Sequence, residues 1–135
     1  MKKFLTVWLR VTMGLLGLQI ALAGFGAVGG GELRENFNLH ILNGRAIAVA
    51  ILLALVFALI AKAGKKSVLM LLLAVGLMVL QALFAMANVP GTTMGQVLFF
   101  FHAINGLIIM GVVESAFPGK EKPAPAEEAE PAAAR

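Results

Sequence analysis

The sequence predicts an all-α integral membrane protein, a four-helix up-down-up-down bundle built from two parallel two-helix repeats. Three observations carry this. The 135-residue chain is 60% hydrophobic and only 13% charged, whereas soluble domains run at about 45–50% and about 25%. The charges are confined to short stretches between four apolar runs, and a bilayer needs roughly 20 apolar residues per helical span. Finally, the two halves of the chain align on each other without a gap at an offset of 62 residues.

The spans read as Phe4–Val28, Phe37–Ala61, Ser67–Val89 and Gln96–Phe117, the first interrupted only by Arg10 and the second only by Arg45. Their connections are a glycine-rich polar loop from Gly29 to Asn36, a basic turn with Lys62, Lys65 and Lys66, and the turn Pro90-Gly91-Thr92-Thr93. Short connections between long helices place consecutive helices antiparallel. No segment alternates with the period of two that a membrane β-barrel would need. The transmembrane domain is therefore 1–117, with repeat one at about 4–62 and repeat two at about 66–117. The Pro, Ala, Glu and Lys tail at 118–135 is too polar and too simple to pack, and is expected to be disordered and cytoplasmic. Met1 to Ala23 also resembles a cleavable leader, but its counterpart in repeat two argues for a span.

Orientation follows from Lys and Arg near the span ends. Lys2, Lys3, Arg10, Lys62, Lys65, Lys66, Lys120 and Lys122 fall on one side; Arg34 and Arg45 fall on the other. Both termini are expected to be cytoplasmic. The net charge of +4 flanks spans and forms no patch, so nucleic acid is not an expected partner. The absence of cysteine excludes disulfides and thiolate metal sites.

At the 62-residue offset, ten of the 31 positions from 14 to 44 are identical: Gly14/Gly76, Leu15/Leu77, Leu18/Leu80, Gln19/Gln81, Ala23/Ala85, Gly29/Gly91, Phe37/Phe99, His40/His102, Asn43/Asn105 and Gly44/Gly106. Coincidences of Leu, Ala and Gly are cheap in so apolar a chain. The His and Gln matches carry more, because the chain has only two His and both fall in register. The offset spans two helices, so the repeats share one topology and are related by an axis along the membrane normal. His40 and His102 then sit at equal depth near the outer ends of two diagonal helices and can face each other.

Both copies read F-x-x-H-x-x-N-G. At about 100° per residue, Phe, His, Asn and Gly share one helix face about 120° wide. A histidine beside Phe, with glycine one turn on, gives a flat wall against which a large planar ligand fits. Gly14, Gly17, Gly24, Gly26, Gly76, Ala85 and Ala87 on the partner helices would empty the bundle centre, though such residues also serve close helix packing. The expectation is one bis-histidine haem b, with His40 and His102 as axial iron ligands and Phe37, Phe99, Asn43, Asn105, Gly44 and Gly106 around it. Arg34 and Arg45 are candidates for its propionates, with a lipid phosphate the slightly favoured partner of Arg45. Gln19 and Gln81 are expected to bond between helices. A chlorophyll-type pigment is a variant cofactor. A bare catalytic metal is not expected, since the spans hold too few ligands at the outer side.

The stretch Leu-Ala-Gly-Phe-Gly at 22–26, Phe-Asn-Leu-His-Ile-Leu-Asn-Gly at 37–44, Leu-Gln-Ala at 80–82 and Phe-His-Ala-Ile-Asn-Gly at 101–106 resemble an uncharacterised family of small bacterial four-helix membrane proteins, a domain of unknown function. The resemblance covers about 5–117 and departs at Ala103, where members often carry proline. It implies a bacterial inner-membrane location and supplies no activity. More loosely, the architecture is similar to membrane b-type cytochromes. The expected function is thus electron transfer through the haem, as a carrier or accessory subunit rather than a stand-alone enzyme. Its partners would be the lipid bilayer, a quinone or redox protein, or a larger membrane complex. The alternative is a cofactor-free membrane subunit or small transporter whose histidine pair is structural or proton-handling.

Overall fold

The computed structural model describes residues 1–29 and 32–119, without the side chains of Leu33 and Arg34. The tail beyond Gly119 lies outside the described residues. Four long helices form the bundle: α1 (Lys2–Val28), α3 (Asn38–Ile60), α4 (Lys65–Ala87) and α5 (Thr93–Ser115), with a single turn, α2 (Leu33–Asn36), between the first two. Among the described residues there is no strand. The shortest of the four has 23 residues, about 35 Å at 1.5 Å per residue, enough to cross the roughly 30 Å hydrocarbon core with some tilt. The chain is a multi-pass membrane protein. The span limits shift by up to three residues from those read in the sequence, and α2 occupies what reads as open loop.

The helices close into a ring in the order α1, α3, α4, α5, with α1 pairing most closely with α3 and α4 with α5. Diagonal helices do not touch along their backbones among the described residues. Each sequence repeat is thus one helical hairpin. Leu5, Leu9 and Thr12 of α1 are buried, and so are Ser67, Leu71 and Ala74 of α4, each 62 residues on. Ile47, Ile51 and Ala54 of α3 have buried counterparts at Ile109, Val113 and Ala116. Large apolar residues elsewhere, such as Val7, Leu52, Leu72 and Ile108, face outward, as they do when the surroundings are lipid tails rather than water.

The turns are built from specific residues. At the end of α3 the Ala63 N–H bonds the Ala58 carbonyl and the Lys62 N–H bonds that of Leu59, with Lys62 at φ 48°, the left-handed stop that ends many helices. At α5, Thr92 caps the helix: its Oγ1 accepts from the Gly95 N–H at 3.0 Å and donates to the Val89 carbonyl at 2.8 Å. Gly95 is buried, and a Cβ there would collide with the Val89 carbonyl.

Midway along the bundle, Trp8 Nε1 donates to the Ala50 carbonyl at 2.8 Å, and on its basic-turn side Phe57 meets the Phe4 and Trp8 rings edge-on at 5.0 and 5.4 Å. Trp8→Phe keeps the ring and removes the N–H. It is expected to cost about 1 kcal/mol, the scale of one hydrogen bond between membrane helices, read as an earlier unfolding midpoint by circular dichroism in a denaturing-detergent titration.

Candidate functional site

Near the α2 end of the bundle, each hairpin contains the same four side chain to backbone and side chain to side chain contacts. Gln19 Nε2 donates to the His40 carbonyl at 3.0 Å. The Gln19 carbonyl lies 3.1 Å from His40 Nδ1. Asn43 Nδ2 donates to the Leu15 carbonyl at 2.9 Å and to Gln19 Oε1 at 2.7 Å. Sixty-two residues on, Gln81 Nε2 donates to the His102 carbonyl at 2.9 Å, and His102 Nδ1 lies 3.3 Å from the Gln81 carbonyl. Asn105 Nδ2 donates to the Leu77 carbonyl at 2.9 Å and to Gln81 Oε1 at 2.6 Å. In a bilayer core such groups have no water to fall back on, and among the described residues no buried polar side-chain atom lacks a partner.

These bonds fix the chemistry of the imidazoles. A carbonyl oxygen only accepts, so each Nδ1 carries the hydrogen, and in the neutral ring Nε2 keeps its lone pair. The rings of His40 and His102 approach across the bundle, their centroids 6.1 Å apart and their planes at 48°. Phe37 and Phe99 meet beside them at 6.5 Å. Phe99 stacks on His102 at 6.2 Å, whereas Phe37 meets His40 edge-on at 5.7 Å. The difference follows from position: Phe99 lies inside α5, while Phe37 precedes α3 at φ −92° and ψ 5°.

The rings of His40, His102, Phe37 and Phe99 meet across the bundle, while Asn43 and Asn105 each stay within their own hairpin. The cofactor that they were expected to hold is corrected. Among the described residues no group of three or more His, Cys, Asp or Glu converges as a metal site, and the small residues do not hollow out the bundle. Gly14, Gly17, Gly24 and Gly76 point to its outside, where an added Cβ would meet nothing within 4 Å. Gly26 faces the Phe37 ring. Gly44 and Gly106, assigned to a macrocycle pocket, instead make room for Gln19 and Gln81, whose Nε2 atoms lie 3.2 and 3.5 Å from the Cβ positions. Asn43 and Asn105 are committed to helix carbonyls and glutamines, and Arg45 opens onto a lateral groove between α1 and α3. The side chain of Arg34 lies outside the described residues. A haem or chlorophyll-type pigment, and the electron-carrier role built on it, are not supported by this arrangement.

The residues missed as members of the site are Gln19 and Gln81, the hubs of both networks. Their signal was present: two of a rare residue type, in register with the histidines, on the facing helices.

A family of unknown function, DUF6220, matches residues 19–88. The chain belongs to this family. The DUF6220 match takes in the three side chains of one network, Gln19, His40 and Asn43, together with Gln81 of the other, and ends before α5. It gives a family of membrane helical proteins without a known activity and does not speak to the repeated motif. No curated protein and no solved structure matches the chain, so the likeness to b-type cytochromes has no support.

Proposed function

We propose that this DUF6220 member is a cofactor-free membrane subunit or small transporter in which the histidine pair handles protons. The observation that carries the reading is the pairing itself: two imidazoles, each held by its Nδ1–H to a helix carbonyl, meet across the bundle at 6.1 Å. Imidazole is the side chain whose ordinary titration lies nearest neutrality, and ionisable groups inside membrane helices mark ion and proton routes more often than packing. A proton arriving on one Nε2 gives an imidazolium whose neighbour is a ring with a free lone pair. The Gln and Asn bonds hold both rings in that facing arrangement.

The Lys and Arg distribution favours both termini in the cytoplasm and the histidines near the outer face of a bacterial inner membrane. With little polar chemistry elsewhere, the role is accessory to a larger membrane complex rather than that of a stand-alone enzyme.

The test is proton flux. The protein is reconstituted into vesicles loaded with a pH-sensitive dye, and a potassium diffusion potential is applied with valinomycin. Wild-type vesicles are expected to acidify faster than protein-free ones, and His40→Gln or His102→Gln to lower the excess rate at least about tenfold. No excess flux, or flux indifferent to both substitutions, would leave the pair structural.

A further inference from the structure

Between α1 and α3 the surface opens into a groove of about 700 Å³. Its walls are apolar side chains of both helices, among them Leu15, Leu18, Leu42 and Val49, with Trp8 toward one end and Arg45 toward the other. Arg45 is the single charged residue of α3 and is exposed. Among the described residues its side chain has no hydrogen bond or ion pair. A cation with no protein partner on a lipid-facing surface must find an anion or water, because charge is costly at membrane depth. It lies seven residues into α3, about 10 Å from the helix start. An arginine pointing back toward the helix N-terminus reaches the headgroup level from there. Repeat two has Leu107 at the matching position and Met70 in place of Trp8, so the symmetric scaffold requires neither.

We infer that the α1–α3 groove is a binding site for one anionic phospholipid, its phosphate paired with Arg45 and an acyl chain lying along the groove toward Trp8. The charge decides among occupants. A second copy of this chain would press an apolar surface onto an unpaired guanidinium, whereas a phosphodiester supplies the bidentate acceptor that arginine matches best. Depth agrees with this. Trp8 bonds Ala50, five residues further along α3 than Arg45, so the indole lies about 7–8 Å deeper in the membrane, beside the acyl chain of a lipid whose headgroup meets the arginine. The site is independent of the histidine pair.

Trp8 is the chain's one tryptophan, so its fluorescence reports on the groove alone. The full chain is reconstituted into phosphatidylcholine vesicles containing an equal mole fraction of either phosphatidylglycerol or phosphatidylcholine brominated in mid-chain. The apparent affinity from Trp8 quenching is expected to be about fivefold higher for the brominated phosphatidylglycerol, the scale of one arginine against an anionic headgroup. Arg45→Lys should keep most of that preference and Arg45→Leu should abolish it. Equal quenching by the two lipids would overturn the inference. So would a preference that survives Arg45→Leu, which would trace it to the lysines near the N-terminus.

Discussion

Gly95→Ala is expected to destabilise the bundle by about 3 kcal/mol, at the upper end of what a single overpacked methyl costs. The new Cβ would collide with the Val89 carbonyl and come within 2.8 Å of Asn88 Oδ1. Flexible side-chain ends move aside cheaply, but a carbonyl in a turn does not. Val89 also accepts the Thr92 hydroxyl, so relief at Gly95 would come at the expense of the cap on α5. Gly111 in the same helix is the matched control, since nothing lies within 4 Å of its Cβ position. Gly111→Ala should be neutral or stabilise by up to about 1 kcal/mol through helix propensity. Unfolding in a denaturing-detergent titration, followed by circular dichroism, separates the two. Equal midpoints for both variants would show that the α4–α5 turn is looser than its contacts imply.

The second large effect is expected from the paired networks. Asn43 and Asn105 are both buried, and each donates to a helix carbonyl and to a glutamine. Asn43→Leu or Asn105→Leu should each cost about 1–2 kcal/mol. The double variant should cost about 3 kcal/mol, because two bonds are lost per site and the glutamine Oε1 is stranded. The two networks belong to different hairpins and meet only at the histidine rings. Departure of the double variant from the sum of the singles therefore measures communication across that contact. Single-site costs under about 0.3 kcal/mol would mean that alternative partners replace these bonds in the membrane.

Much of the architecture was legible in the sequence because length and hydrophobicity dictate it. Four runs of span length joined by short links leave little choice of topology, and the 62-residue offset places His40 and His102 at one level on diagonal helices. The turn α2 was not legible, because four residues carry no periodicity. The larger failure concerned the glycines. A glycine in a sequence says that a side chain is missing, not what lies opposite. Gly44 and Gly106 face glutamines, while Gly14, Gly17 and Gly76 face outward, so these glycines open no space at the bundle centre. Weighed one at a time, Gln19 and Gln81 looked like ordinary interhelical contacts. Only with the helices assembled do they become the groups that bind both the histidine backbone and the asparagine.

The offset also gives the molecule an internal reference. Most positions of α1 and α3 have a twin in α4 and α5, so a substitution can be read against its twin in the same chain. Leu9 and Leu71, or Ile47 and Ile109, agree in identity and in burial, and record what two interlocking halves demand of each other. Arg45 against Leu107, and Trp8 against Met70, mark where one half carries a charge or an indole and its twin a plain apolar residue. Both departures line the α1–α3 groove, so the opposite hairpin serves there as a built-in control without the charge or the indole.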